Sequence, residues 1–498
     1  EAALLQIRRD RQQPGGSRLS LRASGEGAGG WQWRQLSGTT ATLTSEGALA
    51  FITLPRVEQA ELLEFEASTE INGQQFSDKA AVWVTPTPVI ASGAYFSAPL
   101  VATRAWQGDS PYAAALERCL YSNSLRRSCT LAELPLLAMD GEAPSREQVL
   151  ARLLVSEPWM GEVFARFLDE QDEHGDFRQL LGAVTGIVIS HDLRPSFYWS
   201  ATGAIYLDAD YLWLTPEQRD LINEQPDYRG DYGKELAFDM LWRYTLNNDY
   251  AFSRPLRSAR EPRSMAQLAL PLSFLLYHEL AHANDFFPRE LRAQLTPDLS
   301  VALAAASLAS QRLSTQLRQQ QPLQSALLTE LAAVSFRGAS STAEQRATMP
   351  EQVAAAFAAD GASDYYNYAS QYEDLAMLFE ELMMSSRLGV ARDVAVTNQP
   401  EGNATAGDYL VSWGQRGRVA APGVRERALW VAEQILPEAE PSTLLEQLPA
   451  PLLMRPGESW LDNLQQGEVT ANPRLRRAVA DVVGSVERGH PTRVQQGD

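Results

Sequence analysis

The chain has 498 residues, 45% of them apolar and 21% charged, a composition that describes a globular protein with material for two or three domains. Its 43 Lys and Arg against 62 Asp and Glu give a net charge of −19, which excludes the basic footprint that nucleic acids and anionic membranes require. The longest apolar run, around residues 265–277, is too short to span a bilayer, so no transmembrane segment is expected.

The chain opens on Glu1, as expected of a processed or trimmed product whose targeting segment is out of view. Residues 1–88 carry short alternating runs such as Arg18-Leu19-Ser20-Leu21-Arg22 and Ala80-Ala81-Val82-Trp83-Val84, separated by turn residues such as Asn72-Gly73. This pattern predicts an all-β antiparallel sandwich. The series from Leu63-Glu64-Phe65-Glu66-Ala67 through Asn72-Gly73 to Val82-Trp83-Val84 resembles bacterial Ig-like or PKD-like domains. That resemblance implies an exported protein (periplasmic, cell-surface or secreted) and a spacing or adhesion role, with possible cell-envelope association. Thr85-Pro86-Thr87-Pro88 reads as a compact linker.

Beyond the linker the helical fraction rises. Cys119 and Cys129 are the only cysteines, and so short a loop between them suggests a disulfide formed in an oxidising compartment, against the alternative of two unlinked thiols. Residues 147–155 and 160–168 show helical apolar spacing, and residues 202–209 read as a strand. Arg254, Arg257, Arg260 and Arg263 recur every three residues and are expected to form a solvated loop face.

His278-Glu279-Leu280-Ala281-His282 follows, in a chain with only five histidines. Two histidines four apart project from one face of a helix and can give a tetrahedral zinc two nitrogen ligands, with Glu279 beside them as a general base. This stretch matches the HExxH motif of zinc metallopeptidases. The continuation Ala283-Asn284-Asp285-Phe286-Phe287-Pro288 lacks the glycine and third histidine of the metzincins, which leaves a carboxylate from a later helix.

Long helices are expected over 299–319 and 323–336. After them, apolar positions 375, 378, 379, 382 and 383 follow helical spacing. Its opening Glu373-Asp374-Leu375-Ala376 resembles the second zinc motif of glutamate-ligand zincins, and by position Glu373 is the third ligand, with Glu380, Glu381 and Asp364 in reserve. The pattern departs at Met377, where those zincins often carry an acidic residue that orients a ligand histidine; Asp374 or Asp285 would then supply that contact. In lethal-factor-like zincins a tyrosine about two turns before the glutamate ligand binds the oxyanion. The resemblance assigns this to Tyr366, with Tyr365 and Tyr368 as alternatives. Zincins also run a substrate-pairing strand upstream of the motif, and residues 202–209 match that place, against the alternative of an ordinary interior strand.

These features predict a multidomain protein: a sandwich over 1–88, a mostly α-helical α+β zincin-like domain over 89–470 and a C-terminal tail over 471–498. The expected activity is hydrolysis of peptide bonds in a peptide or protein substrate, with one Zn2+ per chain held by His278, His282 and Glu373. The competing class is a catalytically silent zincin-fold protein that serves as a cell-envelope binding or scaffold protein.

Overall fold

The computed structural model describes the chain except for residues 1–5, 8–9, 26–27, 88–102, 121–128, 227–231, 253–254, 259, 403, 467–491 and 496–498. Pro88 of the expected linker and most of the expected tail therefore lie outside the described residues.

Eight strands build the N-terminal region: β1 (Gln6–Ile7), β2 (Arg11–Pro14), β3 (Arg18–Ser24), β4 (Gly29–Ser37), β5 (Thr42–Glu46), β6 (Leu49–Thr53), β7 (Glu61–Ile71) and β8 (Gln74–Thr85). They form two four-stranded sheets, ordered β1-β3-β6-β5 and β2-β8-β7-β4. Leu19, Leu21, Ile52, Leu63, Phe65 and Val82 fill the space between them. Alternation along β7 and β8 sends one face of that pair inward. Their hairpin turns on Asn72-Gly73, both at positive φ (52° and 80°), the backbone that a two-residue turn of this hand requires.

The sandwich is fastened to the rest of the chain by ions. Arg22, 7% exposed, donates from Nε to Asp220 Oδ1 (3.1 Å) and pairs with Glu224, while Arg18 donates to Asp192 Oδ1 (3.0 Å). Ser20 Oγ accepts from Glu224 N (2.8 Å). Of the arginine series that the spacing places on a solvated face, Arg254 lies outside the described residues, Arg257 and Arg260 belong to this joint, and Arg263 binds backbone beside it. Arg257 pairs with Glu46 of β5, Arg260 with Asp220 (2.7 Å), and Arg263 donates to the carbonyls of Trp213 and Asp210 (both 2.9 Å). The acidic partners lie far away in sequence, so their presence was invisible in the local charge pattern.

The second region holds two sheets. Strands β9 (Arg104–Ala105), β10 (Leu153–Val155), β11 (Ile187–Ser190), β12 (Ser196–Trp199) and β13 (Ala204–Asp208) are ordered β9-β10-β11-β13-β12. Strands β10, β11 and β13 are parallel, and β12 runs antiparallel to β13. One expectation is corrected here, and one open alternative is decided. Residues 147–155 are a short helix (Arg146–Leu150) followed by β10, because Leu153-Leu154-Val155, all apolar and buried on both faces, suits a parallel strand as well as a helix. Residues 204–208 are an interior strand; β12 lies outside it and nearer the free edge.

The other sheet contains β14 (Phe238–Leu246), β15 (Asp249–Tyr250), β16 (Ala391–Asn398), β17 (Val411–Arg416) and β18 (Leu452–Leu453), antiparallel throughout in the order β15-β14-β16-β17-β18. A last strand, β19 (Thr492–Gln495), pairs parallel with β12. Cys119 and Cys129 form a disulfide with Cα atoms 5.4 Å apart. The expected helix over 299–319 is divided into Val301–Ser307 and Leu313–Gln320 by a 3-10 turn. No helix among the described residues is long and apolar enough to cross a membrane.

Two long helices make the centre of this region. The motif helix, Met265–Phe286, starts on a capping box in which Ser264 Oγ accepts from Gln267 N, and it is buried continuously from Leu272 onward. The second helix, Gln371–Leu388, packs across it and ends at Gly389, whose φ of 65° is a left-handed cap. Two residues later β16 begins, so the chain doubles back and lays Arg392 beneath the helix it has just left.

Candidate metal centre

His278 and His282 stand one turn apart on the motif helix, both with no solvent exposure. Their Nε2 atoms are 3.2 Å apart and their rings nearly perpendicular, at 82°. Ser370 caps the second helix by accepting from Glu373 N (3.2 Å), which sets Glu373 in the first turn, where the helix dipole favours a carboxylate. Glu373 Oε2 lies 3.0 Å from His278 Nε2 and 3.2 Å from His282 Nε2. The two helices therefore bring these three side chains into one group of donor atoms.

The spacing fits zinc. Ligand bonds of about 2.0–2.1 Å in a tetrahedron place donor atoms about 3.3 Å apart. The three donor pairs here measure 3.0, 3.2 and 3.2 Å, a set slightly contracted around the same centre. Two neutral-capable nitrogens and one carboxylate are also the donor chemistry of catalytic zinc, with a fourth position left for a non-protein ligand. The electrostatics favour a cation. Burial alone would raise the Glu373 carboxyl, but the two imidazoles hold it well below its usual range. Burial pulls His278 down, yet Glu373 and Glu380 overcome it and bring the ring up to about 10. Burial leaves His282 below its usual value.

The contact that orients His278 comes from a residue placed elsewhere by the sequence. Glu380 Oε2 lies 3.0 Å from His278 Nδ1. Its other oxygen accepts from Tyr244 Oη on β14 (2.9 Å) and from Arg392 Nη1 on β16 (3.0 Å). Arg392, wholly buried, also donates to Asp364 Oδ2 from Nη2 (2.9 Å) and lies over the Trp242 ring. Asp374 and Asp285, the residues expected to make this contact, are engaged otherwise. Asp374 pairs with Arg427 and accepts from Asn367, and Asp285 accepts from Ser314 N. Of the reserve ligands, Glu381 accepts from Val419 N (3.1 Å) and Asp364 serves Arg392. The signal for Glu380 was present in the chain. Seven residues are two helical turns, so Glu373 and Glu380 share a face, and a carboxylate there can reach behind the imidazole that Glu373 meets in front. His282 Nδ1 has no hydrogen-bond partner among the described residues.

Glu279 lies within the motif helix beside His278 and is fully buried. Tyr366 packs with its ring centroid 6.2 Å from that of His278 and 4.9 Å from Phe336. The neighbouring tyrosines point their hydroxyls away: Tyr365 Oη meets Ser335 Oγ (3.3 Å), and Tyr368 Oη donates to Asp360 Oδ2 (2.9 Å). Of the three, Tyr366 is the one whose ring packs beside a histidine of the cluster.

No family model and no curated protein matches this chain. Among solved structures, it is similar to the titin M3 domain, with 15% identity over 16% of this chain and 96% of that one at a TM-score of 0.13. It is likewise similar to titin domain M7, with 12% identity over 16% of this chain and 93% of that one, again at 0.13. Similarity this slight carries no argument. The N-terminal sandwich stands on its own strand order and core.

Proposed function

We propose that this protein is an exported zinc-dependent peptidase whose metal is held by His278, His282 and Glu373. The observation that carries the reading is the convergence of those three donor atoms at zinc spacing, with Glu279 adjacent on the same helix. Zinc in such a site supplies Lewis acidity, polarising a carbonyl and making water a better nucleophile near neutral pH. Glu279 takes the proton from the attacking water and returns it to the leaving amine. Tyr366 donates a hydrogen bond to the oxygen on which negative charge develops. Glu380 keeps the His278 proton on Nδ1, so that Nε2 presents its lone pair to the metal. The Cys119–Cys129 disulfide supports an oxidising compartment and hence export.

The test pairs metal stoichiometry with cleavage of a peptide library, comparing the parent chain with Glu279→Gln. One zinc per chain in both, with cleavage by the parent alone, is the expected result. Metal-replete protein that contains no zinc refutes the assignment. Zinc with no cleavage by either form favours the silent scaffold.

A further inference from the structure

A second site lies at the far end of the motif helix. Arg292, in the 3-10 segment Arg289–Gln294, is 5% exposed. Its Nε donates to Phe287 O (3.0 Å) and its Nη2 to Asn284 Oδ1 (2.5 Å), so both bonded partners are neutral. It forms no ion pair with a carboxylate among the described residues. Glu438, which lies nearby, is taken by Arg289 through two hydrogen bonds (2.6 and 2.5 Å). Nη1 of Arg292 has no hydrogen-bond partner among the described residues.

Arg292 and Arg289 line a pocket of about 40 Å³, together with Gln179, Asn284, Ala138 and Leu436. The Gln179 carboxamide also makes no hydrogen bond among the described residues, so it adds a second set of free N–H donors at this wall. A guanidinium taken out of water without a counter-charge is costly. Burial pushes this one down to about 9. Two guanidinium groups line the pocket and one carboxylate pairs with Arg289, so the charge here is net positive, and the volume has room for a small ion.

We infer that this pocket binds one small monovalent anion of chloride size, held by Arg292 Nη1 and the Gln179 carboxamide. The occupant neutralises the buried guanidinium and fixes the Arg292–Asn284 contact at the end of the motif helix. The site is independent of the zinc assignment, since none of its residues belongs to the metal group.

Bromide, which substitutes for chloride and scatters anomalously, tests this directly. Crystals of the full chain grown with bromide are expected to show an anomalous peak within hydrogen-bond reach of Arg292 Nη1. In solution at constant ionic strength, the melting temperature is expected to rise by about 2 °C when bromide or chloride replaces gluconate, a bulkier anion with diffuse charge. Arg292→Met should abolish that difference; Gln179→Leu, at a half-buried position, should reduce it if the first variant folds poorly. Absence of the peak, with equal melting in bromide and gluconate, overturns the inference and leaves the pocket to water.

Discussion

Replacing Glu380 by Gln tests the geometry behind the metal group. The carboxylate now accepts on both oxygens: Oε1 from Tyr244 and Arg392, Oε2 from His278 Nδ1. An amide cannot do this. If its nitrogen faces Tyr244 and Arg392, it confronts the Arg392 guanidinium donor against donor. If it faces His278, it donates to Nδ1 and drives the ring proton to Nε2, the atom meant for the metal. Loss of such an outer carboxylate weakens metal binding by about 10–100-fold. The tautomer reversal places Glu380→Gln near the upper end, about 2.7 kcal/mol. Tyr244→Phe removes one hydroxyl donor from the same carboxylate but leaves the Arg392 and His278 contacts in place, and should weaken zinc binding by less than about tenfold, less than Glu380→Gln does. The assay is competition for zinc against a calibrated chelator at fixed pH, with circular dichroism of the metal-free proteins to confirm folding. A folded Glu380→Gln protein that binds zinc within twofold of the parent would refute the argument.

Three other outcomes follow from the same structure. Glu381 is pushed up to about 8, chiefly by burial, against an ordinary 4.5, so it folds protonated and stability falls as pH rises from 4.5 to 8. Glu381→Gln keeps the acceptor for Val419 N and should stabilise by on the order of 2–3 kcal/mol at pH 7, with no gain at pH 4; equal gains at both values would contradict the cause. Arg22→Met strips Asp220 and Glu224 of one cation while Arg260 and Arg219 remain, so unfolding should become easier by about 3 kcal/mol in a denaturant titration, and a change under 1 kcal/mol would show the joint to be dispensable. Tyr366→Phe should lower kcat by about 10²–10³-fold with zinc content unchanged, whereas unchanged turnover would remove Tyr366 from the chemistry.

The parts of this molecule that were legible in the sequence are those encoded at short range. His278 and His282 declare their shared face by their spacing, Asn72-Gly73 declares its hairpin, and two cysteines ten residues apart suggest their bond. Glu373 was reachable through the run that follows it. The rest depends on which distant elements meet. Glu380 reads locally as one more acid on an amphipathic helix, and only the fold of β14 and β16 against that helix places Tyr244 and Arg392 on its other oxygen. The arginines before the motif helix read as a solvated face because Asp220, Glu46 and the Asp210 and Trp213 carbonyls are remote in the chain. Residues 147–155 misled for a different reason: the helical spacing is real as far as Leu150, but Leu153-Leu154-Val155 is an apolar run buried on both faces, which has no periodicity to separate strand from helix.

The order of the donors along the chain bears on how the protein is made. Both imidazoles belong to one helix, but Glu373 lies about 90 residues further on, and Arg392, which braces Glu380, follows it. At the usual 5–20 residues per second a ribosome needs roughly 5–20 s to pass from the second histidine to the carboxylate. During that interval the growing chain holds only two of the three proposed donors. Zinc held tightly by this protein would therefore mark a chain synthesised beyond its second helix and folded there, and any fragment ending before residue 373 would release the ion to a chelator that the whole protein resists.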